Sequence, residues 1–97
     1  MEKHLFTVFD VAAGSFLDPF VAPSVEYAIR EFRRVVNQEG HQFNQFPQDY
    51  TLFYCGKFDV PSGKLEAIEP QSLGVAVTFL NRPQMYTDLD EAVGGEA

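Results

Sequence analysis

From His4 to Val11 the side chains fall into two alternating sets: Leu5, Thr7, Phe9 and Val11, against His4, Phe6, Val8 and Asp10. A period of two predicts a strand. Both sets are largely apolar, so the strand should be central or covered on both faces. Ala13-Gly14-Ser15 supplies a turn, because Gly14 is free to take positive φ. Ser15 to Val21 then returns as a second strand. Pro19 has no N–H for a ladder, which places that strand at a sheet edge or ends it early.

The period then changes. Val25, Ala28, Ile29, Phe32, Val35 and Val36 form one apolar stripe at helical spacing, with Glu26, Arg30, Arg33, Arg34 and Asn37 on the opposite side. Ser24 is a suitable N-cap after Pro23, Glu26 complements the helix dipole in the first turn, and Gly40 is a suitable terminator. Together these signals predict a helix over about residues 25–38. Glu39 to Asp49 reads as a polar loop pinned by Phe43 and Phe46, and Pro47 keeps Phe46 out of a helix.

Tyr50 to Phe58 is the next strand, with Tyr50, Leu52 and Tyr54 alternating against Thr51, Phe53 and Cys55. Gly56 marks a bulge or a close backbone approach. Asp59-Val60-Pro61-Ser62-Gly63-Lys64 is hairpin-loop chemistry, and Leu65 to Ile68 returns. Gln71 to Leu80 fits two periods: Val75, Val77 and Phe79 alternate, whereas Leu73, Ala76, Val77 and Leu80 share a helical face. Gly74 and the β-branched run favour a strand. The expected fold is therefore α+β, an antiparallel sheet of about five strands in the order β-β-α-β-β-β, with one amphipathic helix packed on one face. Residues 1–82 make a single domain, and residues 83–97 make an acidic tail without regular structure.

Composition sharpens this picture in two places. Ten Phe and four Tyr are many for a chain of 97 residues, so either Phe simply builds the core or some rings line a dimer or ligand surface. The sheet face away from the helix stays open unless loops or a second copy cover it, which points to a homodimer. The net charge is −7, but Asp88, Asp90, Glu91 and Glu96 lie in the tail. The remainder sets seven Lys/Arg against ten Asp/Glu, a net of −3. A nucleic-acid role would therefore need a local basic patch, because the whole-molecule field opposes it.

Cys55 is the only cysteine, which excludes an internal disulfide and a CxxC metal site. It reads as a small buried hydrophobe in a reducing compartment. No apolar run has the length of a membrane span, and the start lacks a signal-peptide core, so a cytosolic protein is expected.

Catalytic chemistry finds little support. His4 and His41 have no partners at metal-ligand spacing. Asp49 and Asp59 sit beside turns, where carboxylates cap the backbone. The serines lack the strand–turn–helix setting of a nucleophile, and Gly94-Gly95 lies among carboxylates that repel phosphate. No enzyme, metal or cofactor is expected. Arg30, Arg33 and Arg34 cluster on one helix face by the i, i+3, i+4 rule. They form either a solvated face neutralised by Glu26 and Glu31 or a phosphate-contacting patch. Lys57 and the rings of Tyr50, Phe53 and Tyr54 would join such a patch if they faced the same way, with bases stacking on the rings. A helix that covers the sheet tends to separate the two sets.

The run from Phe43 and Phe46 through Asp49-Tyr50-Thr51-Leu52-Phe53, Gly56-Lys57-Phe58-Asp59 and Gly63-Lys64 resembles the small nonstructural protein of gokushoviruses, microvirus-group phages with single-stranded DNA genomes. Phe9-Asp10, Phe16-Leu17, Pro19-Phe20, Ala28-Ile29-Arg30, Val36-Asn37 and Ser72-Leu73-Gly74 agree with it in order and spacing, so the resemblance covers about residues 4–80. It implies a nonstructural phage protein in the cytoplasm of a bacterial host, linked to single-stranded DNA binding, replication or genome packaging. It implies no catalytic residue. The partners it suggests are single-stranded DNA and phage replication or procapsid proteins. A protein–protein adaptor that never touches DNA is the alternative. The tail from Gln84 onward lies outside the resemblance.

Overall fold

The computed structural model describes residues 1–81, so the expected tail over residues 83–97 lies outside the described residues. The described chain is an α+β fold built on a five-stranded antiparallel sheet with one main helix and one short helix. Strand β1 spans Glu2–Asp10 and is central, as its two-sided apolar pattern predicts. On one edge it pairs with two short strands, β2 (Ser15–Phe16) and β3 (Phe20–Ala22). The single strand expected over Ser15–Val21 is thus split around Leu17, Asp18 and Pro19. Pro19 offers no N–H, and the interrupted stretch is held instead by the Leu17 amide, which donates to the Val8 carbonyl at 2.8 Å.

On its other edge β1 pairs with β4 (Tyr50–Asp59), and β4 pairs with β5 (Leu65–Val75). Gly56 takes φ 156° at a bulge where the register against both neighbours shifts. A Cβ at that position would strike the Glu66 carbonyl oxygen, so only glycine lets the two backbones approach. At the hairpin tip the Asp59 carboxylate accepts from the Ser62 amide and hydroxyl. The hydroxyl contact, with help from the amide and the N-terminal charge, holds the carboxyl below its usual range. Asp59 thus caps a turn. At the other end of β4, Asp49 is held through its backbone: its amide donates to the Phe46 carbonyl at 3.0 Å, closing the turn, and its carbonyl accepts from the Val11 amide at 2.9 Å.

Helix α1 spans Val25–Val36, and the Ser24 hydroxyl caps it by accepting from the Tyr27 amide at 3.0 Å. The helix stops two residues short of the expected end. Asn37 closes it, donating its side-chain amide to the Arg33 carbonyl at 2.8 Å and to the Phe79 carbonyl at 3.0 Å. The stretch expected to be a loop contains a short helix, α2 (Gln42–Gln45), capped by the His41 ring nitrogen accepting from the Phe43 amide. Phe43 pins it, lying buried against Phe32 and Tyr50. Phe46 does not pin it: its ring is exposed, because Phe43 already fills the space beneath α1.

The ambiguous segment Gln71–Leu80 divides. Gln71–Val75 continues β5, and Ala76–Phe79 coils into a 3-10 helix that packs on α1 through Ala76 and Phe79. The alternating strand expected over the whole segment therefore ends at Val75. The observed order, three strands, two helices, two strands and a 3-10 turn, replaces the expected β-β-α-β-β-β while keeping five strands. Phe6, Val8, Ala22, Ala28, Phe32, Val36, Tyr50, Leu52 and Ala76 form the core between sheet and helix. Each large apolar side chain buried there stabilises the fold by about 1.5–3 kcal/mol, so a core this small depends on every ring.

Candidate functional site

The arginine cluster is built by local rules. Arg30, Arg33 and Arg34 project from the solvent side of α1 while Ala28, Phe32 and Val36 project into the core. All three arginines are exposed, and each is steadied by a different neighbour. The Arg30 guanidinium lies 5.5 Å from the centre of the Tyr27 ring. The Arg33 guanidinium lies 5.3 Å from the centre of the Phe79 ring. At such exposed sites a cation–π contact contributes about 0.5–1 kcal/mol, enough to bias the side chain without neutralising its charge. Arg34 instead donates its Nε to the Glu31 carboxylate at 3.1 Å. That pair is solvent-exposed, and such pairs stabilise by about 1 kcal/mol at most.

The other candidate residues do not join this face. Tyr50 lies in the core with its ring 4.5 Å from that of Phe43. Burial, then the nearby charges of Asp10 and Asp49, raises its phenol above the ordinary value. Tyr54 is on the helix side of the sheet, half-buried, its hydroxyl 2.9 Å from the His4 Nδ1 and its ring against Phe6. Phe53 points from the opposite side of the sheet, where Phe16 meets it edge-on at 5.3 Å and Phe9 meets Phe16 at 4.9 Å. Lys57 sits on the distal half of β4, opposite His4, with its ammonium 4.0 Å from the Glu2 carboxylate. The cations and the rings therefore occupy separate surfaces. Strand alternation splits Tyr50 and Tyr54 from Phe53, and the sheet separates Phe53 from α1.

Two residues that shape the arginine face were missed in the sequence. Tyr27 stands three residues before Arg30, a spacing that places both on one helix side. Phe79 lies far from Arg33 in the chain, and only the fold of the 3-10 turn onto α1 brings them together.

Elsewhere among the described residues the chemistry is modest. A shallow groove of about 280 Å³ lies between α2 and β4, lined by Gln45, Phe46, Pro47, Gln48, Asp49 and Val77. It holds one carboxylate and no histidine, and among the described residues no three His, Cys, Asp or Glu side chains converge for a metal ion. Burial pushes the Cys55 thiol up, away from the reactive thiolate. Among the described residues no helix is long and apolar enough to cross a membrane.

No curated protein and no solved structure matches the chain significantly. Residues 3–79 do match the family described as Phage ORF5 protein, a span that takes in nearly all of the sheet and both helices. The chain belongs to the Phage ORF5 protein family.

Proposed function

We propose that this protein is a non-enzymatic gokushovirus factor that binds single-stranded DNA in the host cytoplasm and serves viral DNA replication and genome packaging. The observation that carries the reading is the outer face of α1, where three exposed guanidiniums lie within two turns and two of them rest on aromatic rings. Guanidiniums held this way meet phosphate oxygens with two parallel donors and lose little side-chain freedom in doing so. Elsewhere the chain is acidic, so contact is confined to this face. Phosphates supply the affinity, and base stacking is not required for the first contact.

The test is fluorescence anisotropy of the full chain with a labelled single-stranded oligonucleotide and a duplex of equal length, at low and physiological salt. Saturable, salt-sensitive binding that favours the single strand is expected. Replacing Arg30, Arg33 and Arg34 together with glutamine should abolish it while leaving the circular dichroism spectrum intact. Unchanged affinity in that variant would falsify the assignment of the face.

A second reading is an adaptor that contacts replication, procapsid or host proteins without touching DNA. It is favoured by the separation of Phe53, Tyr54 and Tyr50 from the arginines. Deleting residues 84–97 distinguishes the two. The DNA reading expects tighter oligonucleotide binding once four carboxylates are removed, whereas the adaptor reading expects loss of a protein partner.

A further inference from the structure

Cross-strand partners share a sheet face, so the register defines the side of the sheet turned away from α1. It carries Lys3, Leu5, Thr7 and Phe9 of β1, with Phe16 opposite Phe9 and Val21 opposite Leu5. From β4 come Thr51, Phe53 and Phe58, and from β5 come Val75, Ser72, Ala67 and Leu65. Lys3 is the one charged residue among these paired positions. Of the other charged strand residues, Glu2, Asp10, Lys57, Asp59 and Glu66 pair on the helix side, and Glu69 falls in the stretch of β5 where the ladder is interrupted. The helix side holds the core residues Phe6, Val8, Tyr50 and Leu52, yet the outer side is largely apolar too, whereas a one-sided antiparallel sheet turns polar residues to water. Phe16 is 46% exposed, Val21 48% and Leu65 67%. Thr7, the most central polar residue of the face, is buried and already donates its hydroxyl to the Leu17 carbonyl at 2.7 Å. The face thus has apolar surface to cover and little polar chemistry to satisfy.

We infer that a second copy of this chain covers this face, the two sheets packing as a sandwich with the α1 helices on the outside. Charge selects the occupant. Nucleic acid needs cations, and the face offers Lys3 alone. The chain's own residues 84–97 carry Asp88, Asp90, Glu91 and Glu96, which would lose hydration against apolar rings with a single lysine to pair them. An identical apolar face meets neither penalty. The area also suffices. Strands β1, β4 and β5, with β2 and β3 lying end to end along the β1 edge, measure about 19 Å by about 30 Å, roughly 1,100 Å² for a pair. This clears the roughly 1,000 Å² at which a specific interface begins. The pairing leaves Arg30, Arg33 and Arg34 of each copy facing outward, and it stands or falls independently of the DNA reading.

Sedimentation equilibrium on the full chain tests it, in low and high salt. The expected mass is twice that of the 10.9 kDa chain. It should persist in high salt, because apolar burial is not screened. The double variant Phe16→Lys/Val21→Lys should sediment as a monomer with an unchanged circular dichroism spectrum, since both side chains are already exposed in one copy. Should that variant fail to fold, the wild type still decides the matter: its thermal midpoint should rise with protein concentration. A monomer at every concentration overturns the inference, as does a dimer that survives both substitutions. A wild-type monomer that dimerises once residues 84–97 are deleted would assign the face to the tail instead.

Discussion

Replacing Glu31 with glutamine isolates the electrostatics of the arginine face. In the free protein Arg34 already has a counterion, the Glu31 carboxylate at 3.1 Å, whereas Arg30 and Arg33 rest on uncharged rings. Only the latter two count fully toward release of the ions condensed on DNA. For a single strand each phosphate neutralised contributes about −0.7 to the slope of log affinity against log salt, so the wild type should show about −1.4. Glu31→Gln frees Arg34 and should steepen the slope to about −2.1. Over a fourfold rise in salt, affinity should then fall about 18-fold instead of about sevenfold. At low salt the variant should bind about 1.4- to 5-fold more tightly, the equivalent of an exposed ion pair no longer competing. Anisotropy titrations at four salt concentrations measure both quantities, and a thermal melt checks that the helix is intact. Coincident slopes, or weaker binding by the variant, would refute the counterion argument.

Three further outcomes concern the scaffold. Gly56→Ala should lower stability by about 2 kcal/mol or more, a midpoint drop of roughly 8–16 °C, because an alanine at φ 156° is strained and meets the Glu66 carbonyl; a melt within a degree or two of wild type would show that the bulge relaxes. Ser24→Ala should cost about 1 kcal/mol, roughly 4–8 °C, through loss of the α1 cap, and Ser24→Asp should restore it. Tyr50 ionises at higher pH in the fold than its ordinary 10.0. Its contribution is therefore fully present below pH 10 and is lost as pH rises toward the folded value; Tyr50→Phe should flatten this alkaline fall in chemical-denaturation curves, and an equally steep fall would exclude Tyr50 as its source.

Local chemistry made α1 legible before any tertiary contact was known. Its stripe, the Ser24 cap and the acidic first turn all act within a few residues, so spacing alone locates the helix. The same holds for β1, for the positive φ of Gly14 and for the bulge at Gly56, where backbone sterics leave little choice of residue. The clustering of Arg30, Arg33 and Arg34 was legible for the same reason, and alternation along β4 already placed Phe53 opposite Tyr50 and Tyr54.

Tertiary packing decided what local rules left degenerate. Val75 to Leu80 satisfies both a strand and a helical period. The choice fell to α1, which buries Ala76 and takes the Phe79 ring against Phe32 at 5.5 Å. Phe43 and Phe46 have the same local claim to the core, but one space exists beneath α1 and Phe43 occupies it. The sequence alone determined which residues share a helix side or a strand side. Only the folded sheet determined which side α1 covers, because that choice depends on pairing between strands some fifty residues apart, such as Phe6 with Tyr54. This long-range pairing put Tyr50 and Tyr54 on the side of the sheet that α1 covers and Phe9, Phe16, Phe53 and Phe58 on the uncovered face, with the arginines outside the helix.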